Sequence, residues 1–215
     1  MLDNHVSELD RNASLLRQDA SRRLYAYWNR LRGTRLAPER GDIEPGDLAQ
    51  LLGDTFVLEV ESPSRLTYRL AGTRLSIAMG RELRGENWLD GWRDKEREAL
   101  ETLITCVVHD VVGASIDIDH ENHNGRCVRY EWALFPLALR NGPIGRIVGI
   151  ATPIDRPYWL GAHPLARTSL ADLRILWLNR LWETPDRRDM RLPYRGITPK
   201  GRYGHLALYE GGRID

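Results

Sequence analysis

The chain has 215 residues, with 31 Lys and Arg against 30 Asp and Glu and a formal net charge of +1, so its overall charge gives no strong pull toward nucleic acid or anionic lipid. A hydrophobic content of 42% supplies one generous core, and 28% charged residues is an ordinary soluble composition. The two cysteines, Cys106 and Cys127, exclude a disulfide framework, lack metal-ligand spacing, and read as thiols in a reducing compartment.

The polar start, Met1 to His5, has no apolar leader core, and no run reaches bilayer-crossing length. The expectation is a cytoplasmic protein without membrane insertion. A helix is expected from Ser14 to Arg32, because Leu16, Ala20, Leu24, Tyr27, Trp28 and Leu31 recur at helical spacing and Gly33 stops it. Pro45 suits the first turn of a short helix ending near Leu52. Thr55 to Glu61 and Arg65 to Ala71 alternate apolar and polar around Ser62-Pro63-Ser64, which predicts an antiparallel hairpin. Residues 73–110 read as helical pieces, with Trp88 and Trp92 in an aromatic knot and Asp94 opening a longer helix through Leu100, Leu103, Ile104, Val107 and Val108. Three more strands follow, around Ile116 and Ile118, around Val128 to Leu134, and from Ile144 to Ile154. Asn124-Gly125 and Asn141-Gly142-Pro143 mark the turns between them. Beyond Asp155, Leu170, Leu173, Leu176, Trp177, Leu181 and Trp182 suggest a last helix capped by Thr168 or Ser169, before an Arg/Pro/Gly-rich tail.

Strand pair, short helices, then three strands describes an α+β domain: a five-stranded antiparallel sheet with helices on one face. The expected organisation is a flanking helix over 1–33, the sheet domain over 34–154, and a C-terminal helix and tail over 155–215. That order resembles the PAS fold, and local residues resemble a family of stand-alone bacterial PAS proteins. They are Trp28 with Leu31-Arg32-Gly33, Pro38-x-Arg40-x-Asp42-Ile43-x-Pro45, Leu51-Leu52, Arg69-Leu70-x-Gly72-Thr73, Gly80-Arg81-Glu82-Leu83-x-Gly85 and Phe135-Pro136-Leu137. The resemblance implies sensing, dimerisation or protein docking and transfers no catalytic residues. The flavin light-sensing subgroup uses a cysteine in an Asn-Cys-Arg motif, from which Thr105-Cys106-Val107 departs. A haem site needs a histidine on a pocket helix, and His109 stands at the last turn of its helix. No cofactor is therefore expected, although an unidentified small molecule is compatible with the fold.

Several residues carry candidate chemistry. Tyr68, Arg69, Trp88, Trp92 and His109 are the candidate pocket lining. Aromatic rings stack on planar ligands, and an arginine can hold a carboxylate or phosphate. The plain alternatives are core filling for the rings and an ion pair with Glu82 or Glu59 for Arg69. Cys106 and His109 share a helical face but have no third orienting group, so a nucleophilic pair is disfavoured. Asp117, Asp119, His120, Glu121 and His123 resemble a metal cluster, yet they run into a hairpin tip, and Arg126 and Arg129 are available as cross-strand partners, so no metal is expected. Leu24, Trp28, Leu31, Trp177, Leu181 and Trp182 are the candidate interface of a homodimer, with packing on the open sheet face as the alternative. Arg187 to Arg202 lacks a base-reading motif, so no specific nucleic acid is expected. The functional expectation is a non-enzymatic sensory or regulatory module that binds a small molecule, a signalling protein, or both. The rival readings are a ligandless adaptor and an enzyme using Cys106 and His109.

Overall fold

Alternating side chains build the centre of the molecule. The computed structural model describes residues 11–178 and two short strands further on, in two units, Met1–Leu178 and Asn179–Asp215. In the first unit, β1 (Thr55–Ser62) and β2 (Arg65–Ala71) form the expected hairpin, with Leu58 opposite Tyr68 and Val60 opposite Leu66. β3 (Gly113–Asn122), β4 (Cys127–Ala138) and β5 (Ile144–Pro153) form a meander, and β5 returns to pair with β1. Gly149 is required where β5 passes under Phe56, because a Cβ there would strike the Phe56 ring and the Ala133 carbonyl.

The sheet has six strands rather than five. Residues expected to form the last helix instead form β6 (Leu165–Leu176), antiparallel to β3 along its length, and the strand order is β2-β1-β5-β4-β3-β6. Thr168 and Ser169 are therefore strand residues rather than helix caps, and the sheet continues past the boundary expected at residue 154. Leu181, Trp182 and residues 187–200 of the expected tail lie outside the described residues, while the backbone of Arg202 falls in a short strand. The second unit contains β7 (Gly201–Tyr203) paired antiparallel with β8 (Leu206–Leu208).

Each face of the sheet is covered by different helices. α1 (Asp19–Arg32) stops at Gly33, whose φ of 56° suits glycine. Its Leu24, Tyr25, Tyr27 and Trp28 bury against Val57, Phe135, Leu137, Val148 and Ile150, which point from the outer face. The Trp28 indole donates to the Pro136 carbonyl at 2.8 Å. Trp28 and Leu24 are 1% and 0% exposed within the chain itself, so they pack on the sheet and are not anchors for a second subunit; Leu31 is half-buried against the same cluster. Pro45–Leu48 forms a single 3-10 turn in place of a longer helix.

The inner face is roofed by α2 (Thr73–Met79) and α3 (Asp94–His109), whose Leu100, Leu103, Ile104 and Val107 are buried. Two ties hold the roof in place. Arg97 donates to the carbonyls of Leu89 and Ser64, and Glu96 accepts the N–H of Leu170 on β6 at 2.9 Å.

Candidate ligand site

Period-two alternation fixes what faces the roof. Phe56 and Leu58 on β1, Leu66 and Tyr68 on β2, Ile116, Ile118 and His120 on β3, and Tyr130 and Trp132 on β4 share the inner face. Their rings make a continuous line. Tyr68 meets Phe56 at 6.1 Å between centroids, Phe56 meets Trp132 at 5.1 Å, and Trp132 meets Trp88 at 6.1 Å. Trp88 then meets Trp92 at 6.2 Å in an edge-to-face pair.

His120 branches from this line, edge-on to Tyr130 at 5.3 Å and tilted to Trp132 at 6.1 Å. Its side chain is 2% exposed, and neither ring nitrogen has a hydrogen-bond partner among the described residues. The Trp132 Nε1–H is likewise buried without one, as is the Nδ2 of Asn122 two residues along β3. A neutral imidazole always presents one donor and one acceptor, and leaving a buried polar group unpaired costs about 1–3 kcal/mol. Burial pushes the His120 pKa down to about 4, against a weaker opposing pull from Asp119, so the ring is neutral at physiological pH.

The outer face handles polar burial differently. Glu131, next to Trp132 in the chain and fully buried, accepts the N–H groups of Arg17 and Gln18 at 2.7 and 2.8 Å, just before α1, and the Ser115 hydroxyl at 3.0 Å. Asp117 on β3 faces Asp172 on β6 across the ladder, and two arginines offset that repulsion. Arg174 reaches Asp117 at 2.5 Å and Asp172 at 3.1 Å, and Arg17 reaches the same pair at 3.2 and 3.8 Å. Arg174 also lies 3.8 Å from Glu131. The segment entering α1 and the last strand of the sheet therefore meet at two buried carboxylates, Asp117 and Glu131. Two neutral groups on this side, the Thr152 hydroxyl and the Ser21 hydroxyl of α1, lack a partner among the described residues.

A family model of the PAS domain matches residues 16–152, well over half of the chain. The chain belongs to the PAS domain family. No curated protein matches it. Among solved structures, this PAS protein is similar to an RNA-binding light-oxygen-voltage receptor, at 19% identity over 56% of this chain and 36% of that one, with a TM-score of 0.41. It is also similar to the light state of the blue-light photoreceptor Aureochrome1 LOV (16% identity, 52% and 88% coverage, TM-score 0.37). The Rhodobacter sphaeroides LOV protein is a third (12% identity, 54% and 71% coverage, TM-score 0.40). The chain spans about a third of the length of the first of these receptors.

The expected pocket residues separate into three groups. Tyr68 and Trp88 lie in the PAS interior, each 5% exposed. Trp92 sits half-buried at its margin, its indole donating to the Trp88 carbonyl at 3.2 Å. Arg69 is exposed and ion-paired with Glu59, one of the two partners weighed from sequence, and His109 is exposed at the end of α3. Neither faces the interior. Cys106 is buried, donates to the Thr102 carbonyl, and has its thiol pushed up to about 11 by burial, the reverse of an activated nucleophile.

The apparent metal cluster is also divided between faces. Asp117 and Asp119 point outward and His120 inward, Asp119 is held bidentately by Arg129 at 2.7 Å, and no three His, Cys, Asp or Glu side chains among the described residues are placed together to hold a metal ion. No described helix is long and apolar enough to cross a membrane. Sequence reasoning missed His120 and Trp132 as a pair. The signal was present, since Ile116-x-Ile118-x-His120 continues one inward phase.

Proposed function

We propose that this PAS domain is a non-enzymatic sensory module whose interior takes a small planar molecule with polar edges, held against His120 and Trp132. The observation that carries this reading is His120: an imidazole 2% exposed, between two aromatic rings, with both nitrogens unpaired. A ligand that offers one acceptor and one donor there recovers hydrogen bonds the fold leaves unmade, while Tyr68, Trp88 and Trp132 supply ring faces. The protonated, buried thiol of Cys106 supports a module without nucleophilic chemistry.

The readout runs through adjacent residues of one strand. Trp132 faces the interior, and Glu131 on the other face holds the entry to α1. A ligand that prefers one position of β4 thereby also prefers one position of α1 and, through Asp117 and Arg174, of β6. The output is a changed surface for another protein, consistent with a signalling role. Leu24 and Trp28 are buried inside the chain, so a homodimer would have to use the other expected interface residues, of which Leu31 and Trp177 are half-buried.

A ligandless adaptor is the second reading. It is favoured by the ring contacts from Tyr68 to Trp88, which fill that line of the interior with the protein's own side chains. Native mass spectrometry of protein purified without denaturant separates the two. A bound small molecule, lost in the His120→Phe, Trp132→Phe double variant, supports sensing; a bare mass for the wild type supports the adaptor.

A further inference from the structure

A cleft lies between α2 and the segment joining β5 to β6, with Tyr130 as the wall it shares with the aromatic interior. It has a volume of about 450 Å³ and is lined by Asp54, Arg74, Leu75, Ile77, Tyr130, Arg156, Tyr158 and Leu160 among others, within the range of small-molecule sites, roughly 300–1,000 Å³. One wall is a fixed piece of backbone. Ile154 N–H bonds to the Arg129 carbonyl at 2.7 Å, Leu160 N–H to Pro157 and Ala162 N–H to Trp159, both at 3.0 Å, and Gly161 takes a φ of 88°. Pro164 then packs so closely on Gly80, beyond α2, that a Cβ at Gly80 would overlap it.

The charges in the cleft do not balance. Asp54 is taken by Arg74, whose Nε and Nη2 reach it at 2.9 and 2.7 Å. Arg156 is exposed and has no ion pair among the described residues. Its charge nevertheless acts on the Tyr130 hydroxyl, as does Asp54, and burial keeps that hydroxyl protonated, with its pKa pushed up to about 12. The same cleft carries exposed apolar surface. Ile77 is 60% exposed, and Tyr158 is 91% exposed with its ring 5.9 Å from the Arg126 guanidinium. A guanidinium without an ion pair among the described residues, in one cleft with a hydroxyl donor, an exposed aromatic ring and an exposed aliphatic side chain, suits a molecule with an anionic oxygen group at one end and an apolar body at the other.

We infer that this cleft is a binding site for small amphipathic acids, with Arg156 holding the carboxylate and Tyr158 and Ile77 flanking the apolar part. The cleft shares one wall residue, Tyr130, with the interior, but its anchor is Arg156 and its test does not depend on His120.

The test is an NMR titration of the ¹⁵N-labelled full chain with phenylacetate, and with neutral phenylacetamide as its isostere. Phenylacetate should shift the amides of Arg156, Tyr158, Leu160 and Gly161. Phenylacetamide and the Arg156→Ala variant should each bind about tenfold or more weakly, as expected for loss of a charge-assisted hydrogen bond, and Arg156→Lys should recover part of the affinity. Arg156 is a surface residue, and a dispersed spectrum verifies that the variants fold. No shift at those amides, equal binding of acid and amide, or unchanged affinity in Arg156→Ala would overturn the proposal.

Discussion

The two faces of the sheet bury polar groups in opposite ways. On the outer face, Glu131 and Asp117 are fully buried carboxylates, and each has cationic or N–H partners from the segment before α1 and from β6. On the inner face, His120 and Trp132 are as deeply buried and have none among the described residues. Satisfied buried charges specify one arrangement of the chain, whereas unsatisfied neutral groups leave a preference for something that pairs them. The outer face thus reads as a fixed joint between the flanking segments, and the inner face as the place where a second component changes the energy.

The largest effect should come from breaking the joint. Glu131→Ala strips the partners from two backbone N–H groups and the Ser115 hydroxyl and leaves the buried side of Arg174 with less countercharge, and should cost about 3–5 kcal/mol in urea unfolding. Hydrogen exchange across residues 19–32 should accelerate more than exchange in β1 and β2.

The inner face should show itself through pH. His120 has a folded pKa of about 4 against 6.5 for a free histidine. Between those values the unfolded chain binds the proton and the folded chain does not. Stability should therefore be unaffected above about pH 6.5 and fall as pH drops toward 4, by on the order of 3 kcal/mol. His120→Phe should flatten that part of the pH–stability curve. Asp119, held below the usual carboxylate range by its hydrogen bond with Arg129, keeps its contribution above its unfolded pKa near 3.8 and loses it only below that, outside the histidine window.

Trp92→Ala at the margin should cost about 1–2 kcal/mol in the same assay, while Trp88→Ala, which empties a buried site, should cost about 3–5 kcal/mol. Trp92 is therefore the safer residue for perturbing the interior. Arg69→Ala breaks only an exposed pair and should change stability by about 0.5 kcal/mol or less.

How legible these features were in the sequence depended on whether the pattern was local. The β1–β2 hairpin could be read from its alternation and its Ser-Pro-Ser turn, except at the bulge between Val57 and Leu58, where Arg69 is the extra residue and Leu70, 39% exposed, pairs with Val57 instead of continuing the Leu66–Tyr68 phase. β6 could not. Leu170 faces Ile118, Leu173 faces Ile116, and Ala171 is the extra residue of a bulge. That bulge places two inward leucines three apart, which imitates helical spacing, and only pairing with β3 distinguishes the two. The joint was invisible for a related reason, since Arg17, Asp117, Glu131 and Arg174 are distant in sequence and their association needs the finished sheet. Tyr68 and Trp88 were legible as interior residues because burying large rings is general, whereas Arg69 and His109 were placed by proximity to turns and point to solvent instead.

The most direct test of the inner-face account is the pair of ring ¹⁵N resonances of His120, followed from pH 7 to 4 in natively purified protein and again after refolding from denaturant. The account predicts a neutral ring down to about pH 4, with ¹⁵N shifts that move once any bound molecule has been removed. Ring nitrogens that titrate at an ordinary histidine value, or that are identical before and after refolding, would contradict it.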